Sequence, residues 1–295
     1  MEKGKIKYAI FGNSYHKECA ASIGQIIQIL RRHTAYISIE EQFYHFVRST
    51  LKIDFQPDEI ITDNNFSASF AISLGGDGTF LNTAARVGEK EIPIIGINTG
   101  RLGFLAEVLP KDFEKLIESL RRGDYFIEHR SLLRVCDNAN QLNIYPYALN
   151  EVAILKHDNS SMISIRALVD GHYLTTYQAD GLLISTPTGS TGYSLSVGGP
   201  IISPTSPCIA LTPVAPHSLN VRPIILNDDI TIRLQVKSRN HNFLTSIDGR
   251  SQNLDDHVEL MIRRAPYRIH LIKRSNSHFF DTLRNKLLWG ADKRI

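Results

Sequence analysis

The amino-acid sequence predicts an α/β N-terminal domain built on a parallel sheet, an all-β C-terminal domain, and a C-terminal helix returning to the first domain. Three observations carry that prediction. Short apolar runs alternate with helix-spaced faces up to about residue 127, the rhythm of βαβ units. From about residue 128 the pattern becomes short alternating strands and tight turns. In the tail, helical spacing comes back. The expected divisions are 1–127, 128–275 and 276–295. A chain of 295 residues also exceeds what one hydrophobic core ordinarily serves.

Tyr8 to Phe11 reads as the first strand, and Cys19, Ile23, Ile26, Ile27 and Leu30 mark a helix face. Ala35 to Ile39 is a second strand; Phe43, Phe46 and Val47 suggest another helix. Phe70 to Leu74 is an unbroken apolar run, as in a parallel strand buried on both faces. Leu81, Ala84, Ala85 and Gly88 then give a helix face, and Ile92 to Ile97 the next strand. Phe113, Leu116, Ile117 and Leu120 hold helical spacing, with Pro110 near the start and Gly123 just past the end.

In the second part, Ile163, Ile165, Ala167 and Val169 alternate with Ser164, Arg166 and Leu168. Asp170-Gly171, a type I′ hairpin signal, leads from there into His172 to Tyr177. Ile230, Ile232, Leu234 and Val236 alternate in the same way, and Val258 to Ile262 and Tyr267 to Ile272 close the β series. In the tail Phe280, Leu283 and Leu287 share a helix face that must be buried, and Gly290 supplies a stop.

Composition removes several function classes. A hydrophobic content of 42% with 21% charged residues belongs to a globular chain. The net charge of +3 is small, and the basic pairs Arg31-Arg32, Arg121-Arg122 and Arg263-Arg264 are scattered, which disfavours nucleic-acid binding. Cys19, Cys136 and Cys208 lie far apart without C-x-x-C spacing, so neither a disulfide scaffold nor a zinc site is expected. The apolar run near Met1 is too short for a signal peptide, and no stretch reaches membrane-span length. The expected location is the cytoplasm.

Four segments carry chemistry. Gly75-Gly76-Asp77-Gly78-Thr79 joins a strand to a helix, a place where backbone N–H groups can face a phosphate. A carboxylate does not suit a loop built only to hold phosphate, so Asp77 reads as a residue that handles a metal ion or a hydroxyl proton. The plainer alternative is a tight turn with Asp77 as N-cap. The loop matches neither the P-loop nor the Rossmann fingerprint. Asn98 to Phe104 follows a parallel strand, where ligands of open α/β sheets sit.

Asn150-Glu151 interrupts an apolar strand and is either a satisfied strand end or aimed at a ligand. Asp180-Gly181 opens the fourth segment, whose run from Ser185 to Gly199 is rich in hydroxyls and glycines and includes Tyr193. Such a loop can donate several hydrogen bonds and stack a base, although a plain linker has a similar composition. It contains no G-x-S-x-G elbow, which disfavours a hydrolase nucleophile.

Together these segments resemble the NAD kinase family along the whole chain. The glycine-aspartate-glycine loop alone is shared with lipid kinases and phosphofructokinases; its pairing with Thr186-Pro187-Thr188-Gly189-Ser190-Thr191 makes the resemblance specific. The resemblance implies transfer of the γ-phosphoryl of ATP to the 2′-hydroxyl of the adenosine ribose of NAD, with a divalent cation such as Mg²⁺ on the donor phosphates. Asp77 would orient or deprotonate that hydroxyl. Asn150 and Glu151 would hold adenine and ribose, and Asp180 would contact the nicotinamide side. Thr191, Gly192, Tyr193 and Ser196 would shape the adenine pocket, and Gly78 and Phe104 would line the ligand.

Arg250, beside the predicted Asp248-Gly249 turn, stands where the family has ligand contacts near a subunit boundary. Gly192 stands where members often carry alanine, and Gln178 where many carry a basic residue. A homo-oligomer, dimer or tetramer, is typical of the family. The competing readings are a lipid kinase sharing the glycine-aspartate loop, for which no basic amphipathic helix is present, and a dinucleotide-binding regulator without catalysis.

Overall fold

The structure, a computed structural model, describes residues 5–13, 19–100, 103–157, 161–273 and 278–290. The chain divides into two compact units, residues 1–129 with 269–295, and residues 130–268.

The first unit is built on one seven-stranded sheet. Its order is Glu59–Ile61, Tyr36–Glu40, Lys7–Gly12, Phe70–Gly75, Ile94–Asn98, Ile269–Lys273 and Phe126–Arg130. The strands from Glu59–Ile61 to Ile269–Lys273 pair in parallel. Every residue of Phe70–Gly75 and Ile94–Asn98 is buried, as strands covered on both faces require. Helix Ala20–Arg32 buries Ile23, Ile26, Ile27, Ile29 and Leu30, and helix Phe113–Arg122 buries Phe113, Leu116, Ile117 and Leu120. Gly123 ends the latter at a φ of 77°, which a residue with a Cβ adopts poorly.

Three elements differ from the sequence expectation. Ile269–Lys273 joins the parallel sheet instead of closing the β series; four of its five residues are buried, so it lacks the alternation of a half-exposed strand. Helix Asp77–Val87 buries Phe80, Thr83, Ala84 and Val87, a face rotated away from Leu81 and Ala85, because turning Phe80 inward removes more apolar area from water. The tail helix, Phe279–Leu287, buries Thr282 and Leu283 and leaves Phe280 61% exposed. Thr282 takes the inward place because its hydroxyl donates to Glu107 at 3.2 Å. Residues 276–277 and 291–295 of the expected tail lie outside the described residues.

The second unit has two six-stranded antiparallel sheets. Val135, Ile165, Leu234 and Ile262 of one sheet and Ile154, Leu182, Leu211 and Phe243 of the other belong to one buried core. Strand Thr231–Lys237 alternates inward and outward as its sequence predicts. The two hairpin turns take left-handed residues in succession, Asp170 and Gly171 at 48° and 82°, Asp248 and Gly249 at 47° and 80°. Among the described residues, no helix is long and apolar enough to cross a membrane.

Candidate active site

In the first unit the site begins where strand Phe70–Gly75 gives way to helix Asp77–Val87. A Cβ on Gly75 would stand 2.2 Å from Thr79 Oγ1, so glycine permits the sharp turn. Gly76 is the N-cap, without a side-chain cap hydrogen bond, and Asp77 is the first helical residue. The N-cap reading of Asp77 therefore fails. Its carboxylate reaches across the sheet end instead: Oδ2 accepts the Phe104 N–H at 2.9 Å, and Oδ1 accepts the N–H groups of Leu105 and Ala106 at 2.9 and 3.2 Å. A fourth donor, Lys286 Nζ of the tail helix, lies 3.3 Å from Oδ2.

Gly103 makes this wrap possible, since a Cβ there would stand 2.0 Å from Asp77 Oδ1. Asn98, 2% exposed, ties down the same loop by donating from Nδ2 to Ala106 O and accepting the Gly100 N–H on Oδ1. Arg101 and Leu102 of the expected loop lie outside the described residues. Gly76 and Gly78 have open space where a Cβ would be, so a ligand can come close to that backbone.

In the second unit, Asn150-Glu151 sits where strand Glu151–Leu155 starts. The hairpin turn at Asp248 holds it from the side. Asp248 Oδ2 accepts the Leu149 N–H at 2.7 Å, and Oδ1 accepts those of Asn150 and Glu151 at 2.8 and 3.2 Å. Burial pushes the Asp248 carboxyl above its ordinary value, with the three N–H groups and Arg250 pulling the other way.

Glu151 is treated differently. Its Oε2 is buried and has no hydrogen-bond partner among the described residues. Burial, and then the negative charge of Asp248, push its carboxyl from 4.5 to about 7, against a hydrogen bond from the Tyr193 backbone. Gly192 leaves that oxygen its room, because a Cβ there would stand 3.0 Å from Oε2.

The hydroxyl-rich run is a folded turn and not a linker. A 3₁₀ turn, Thr188–Thr191, and a short helix, Tyr193–Ser196, organise it. Most hydroxyls serve the fold: Thr186 donates to Leu149 O at 2.5 Å, Ser190 to Pro187 O at 2.7 Å, and Ser194 and Thr212 bond at 3.1 Å. Gly189 lies against Asn150, its notional Cβ 2.1 Å from Asn150 O, so this turn and the Asn-Glu pair pack backbone to backbone. Thr191, Gly192, Tyr193 and Ser196 are only partly buried or exposed and present the run's outer side.

Asp180 pairs with Lys156 at 2.8 Å and is about one-third exposed. Arg250 donates from Nη2 to Tyr147 O at 3.0 Å and lies over the Tyr145 ring. Its Nε and Nη1 are buried without partners among the described residues. Sequence reasoning missed Lys286, Lys156 and the anchoring role of Asp248. The Asp248-Gly249 turn signal located the last of these, while Lys286 and Asp77 are 209 residues apart and share no motif.

Family models match both units of this architecture. The model of the ATP-NAD kinase N-terminal domain matches residues 9–125, and that of the ATP-NAD kinase C-terminal domain residues 149–274. An NAD kinase of Bacteroides fragilis is 55% identical over 290 residues, covering 98% of this chain and 100% of its own length. The chain belongs to the NAD kinase family. An NAD kinase of Porphyromonas gingivalis is 45% identical over 98% of this chain and 99% of its own.

Among solved structures, an NAD kinase from Archaeoglobus fulgidus in complex with ATP superposes with a TM-score of 0.73 at 25% identity, covering 96% of this chain and 99% of its own. Yeast NADH kinase complexed with NADH has the same fold, with a TM-score of 0.88 at 24% identity over 100% of this chain and 91% of its own. NAD kinases are phosphotransferases with an alcohol acceptor, and this chain is one of them. Among the described residues no three His, Cys, Asp or Glu side chains converge as metal ligands.

Proposed function

We propose that the Asp77 segment carries the phosphoryl transfer, while Asn150-Glu151 and the turn from Thr191 to Ser196 hold the dinucleotide. The reaction is transfer of the γ-phosphoryl of ATP to the 2′-hydroxyl of the adenosine ribose of NAD. The ribose 2′-oxygen bonds to the γ-phosphorus as the bond to the β–γ bridging oxygen breaks, its electron pair leaving with ADP. The hydroxyl proton passes to Asp77. ATP enters as its Mg²⁺ complex, in which the ion neutralises charge on the phosphates.

Glu151 Oε2 carries the reading of the second unit. A buried acceptor without a donor costs about 1–3 kcal/mol, so a ribose hydroxyl that supplies one is bound selectively. Asn150 takes the adenine–ribose end beside it, and Asp180 the nicotinamide side in exchange with Lys156. Tyr193, 39% exposed, supplies a face on which adenine stacks, and Thr191, Gly192 and Ser196 complete that pocket. Gly78 and Phe104 line the ligand near Asp77. Arg250, whose buried Nε and Nη1 have no partner among the described residues, contacts the dinucleotide.

By the family resemblance the enzyme works as a homo-oligomer. Its free cysteines, Cys19, Cys136 and Cys208, suit the reducing cytoplasm. The test is direct. Purified protein given NAD, ATP and Mg²⁺ is expected to form NADP, read by an NADP-specific dehydrogenase. Tight NAD binding in calorimetry without NADP formation would refute the catalytic reading.

A further inference from the structure

Asp77 is surrounded by donors of two kinds. Three are backbone N–H groups of Phe104, Leu105 and Ala106, fixed by the loop. The fourth is the Lys286 ammonium, on a flexible stem, with lysine and aspartate side chains each 30% exposed. A carboxylate has about four lone-pair sites, and these four donors use them all. A substrate hydroxyl can reach Asp77 only by taking the place of the one donor able to leave.

The tail helix is anchored so that Lys286 arrives there. Phe279 packs on Phe104 with ring centres 6.3 Å apart, and Thr282 bonds Glu107. Glu107 is paired in turn with buried Lys273 at 2.5 Å. The Lys286 ammonium lies 4.4 Å from the centre of the Phe104 ring, so it keeps a second, aromatic seat when it leaves Oδ2.

We propose that Lys286 is a positioning residue for phosphoryl transfer. It holds Asp77 Oδ2 until the ribose hydroxyl displaces it, and then stays beside the reacting groups as a cation. The proposal rests on Asp77 being the group that engages that hydroxyl. A bland alternative is a surface ion pair, which contributes little to stability and nothing to rate.

Lys286→Met keeps the stem over Phe104 and removes the charge. Its kcat is expected to fall on the order of 100-fold, the scale of losing one electrostatic donor, with the NAD KM changed less than about threefold. Lys286→Arg should recover most of that kcat. Lys286→Ala should regain turnover when ethylammonium is added, at an unchanged melting temperature. Wild-type kcat in Lys286→Met, or a loss that neither arginine nor the amine repairs, would overturn the proposal. Asp77→Asn run alongside separates the two claims: if it turns over normally, the reading of Asp77 fails first. If it is inactive while Lys286→Met is normal, only the lysine proposal fails.

Discussion

Asp77 and Glu151 are both carboxylates at the start of a regular element, each beside a glycine whose missing Cβ leaves it room, and the chain treats them in opposite ways. Asp77 accepts four donors from its own unit. Glu151 has a buried oxygen without a partner among the described residues and a carboxyl pushed up to about 7. Under the proposed function the first is a held group that gives up one donor to act, and the second an open acceptor that gains by binding. That reading separates chemistry from recognition, and substitutions can break it.

The largest effect is expected at Asp77. Asp77→Asn should keep NAD binding, measured by calorimetry, and lose about 10²–10⁴ in kcat, the usual worth of a positioned acid–base group. Glu151→Gln comes next, with the NAD KM raised about 10- to 100-fold and kcat little changed, equivalent to about 1.4–2.8 kcal/mol of binding.

Glu151 also sets a pH dependence whose sign is fixed. The folded carboxyl titrates near 7 and the unfolded one near 4.5, so the folded state holds an extra proton between those values. The stability this gives is full below about 4.5, falls as pH rises, and is gone above about 7. Glu151→Gln, neutral throughout, should therefore gain melting temperature over wild type most at pH 8 and least near pH 5. For the wild type, the NAD KM should rise as pH drops below about 7, and this limb should vanish in the variant.

Asp248→Ala leaves the N–H groups of Leu149, Asn150 and Glu151 without their acceptor. A loss of roughly 2–4 kcal/mol, and of about 5–10 °C in melting temperature, is expected. Gly192→Ala should do least. Its Cβ would stand 3.0 Å from Glu151 Oε2, 3.2 Å from Gly189 O and 3.4 Å from Asn150 Nδ2, contacts that a shift of a few tenths of an ångström relieves, so the NAD KM should move less than about threefold.

How much of this was legible in the sequence follows the range of each interaction. The helix faces at Ile23–Leu30 and Phe113–Leu120, and the Asp170-Gly171 and Asp248-Gly249 turns, are local patterns and stand in the structure as expected. At Ile269–Lys273 the apolar run says that a strand is buried and not which sheet buries it. In the helix after Asp77 the spacing of Leu81, Ala84, Ala85 and Gly88 does not give the whole buried face, because Phe80 outweighs the alanines in apolar area.

At the site, the residue types were visible and the wiring was not. Nothing near position 77 says that its carboxylate is bound by residues 104–106, or that Lys286 closes the set. Likewise the hydroxyls of Thr186, Ser190 and Ser194 look like ligand donors in the sequence, and in the structure they hold the turn together.

The division between a held and an open carboxylate is tested most directly by measuring kcat and the NAD dissociation constant together for Asp77→Asn and Glu151→Gln. A crossed result is predicted: Asp77→Asn binds NAD like the wild type and scarcely turns over, while Glu151→Gln turns over at saturation and binds NAD weakly. Normal NADP formation by Asp77→Asn, or unchanged NAD binding by Glu151→Gln, would contradict it.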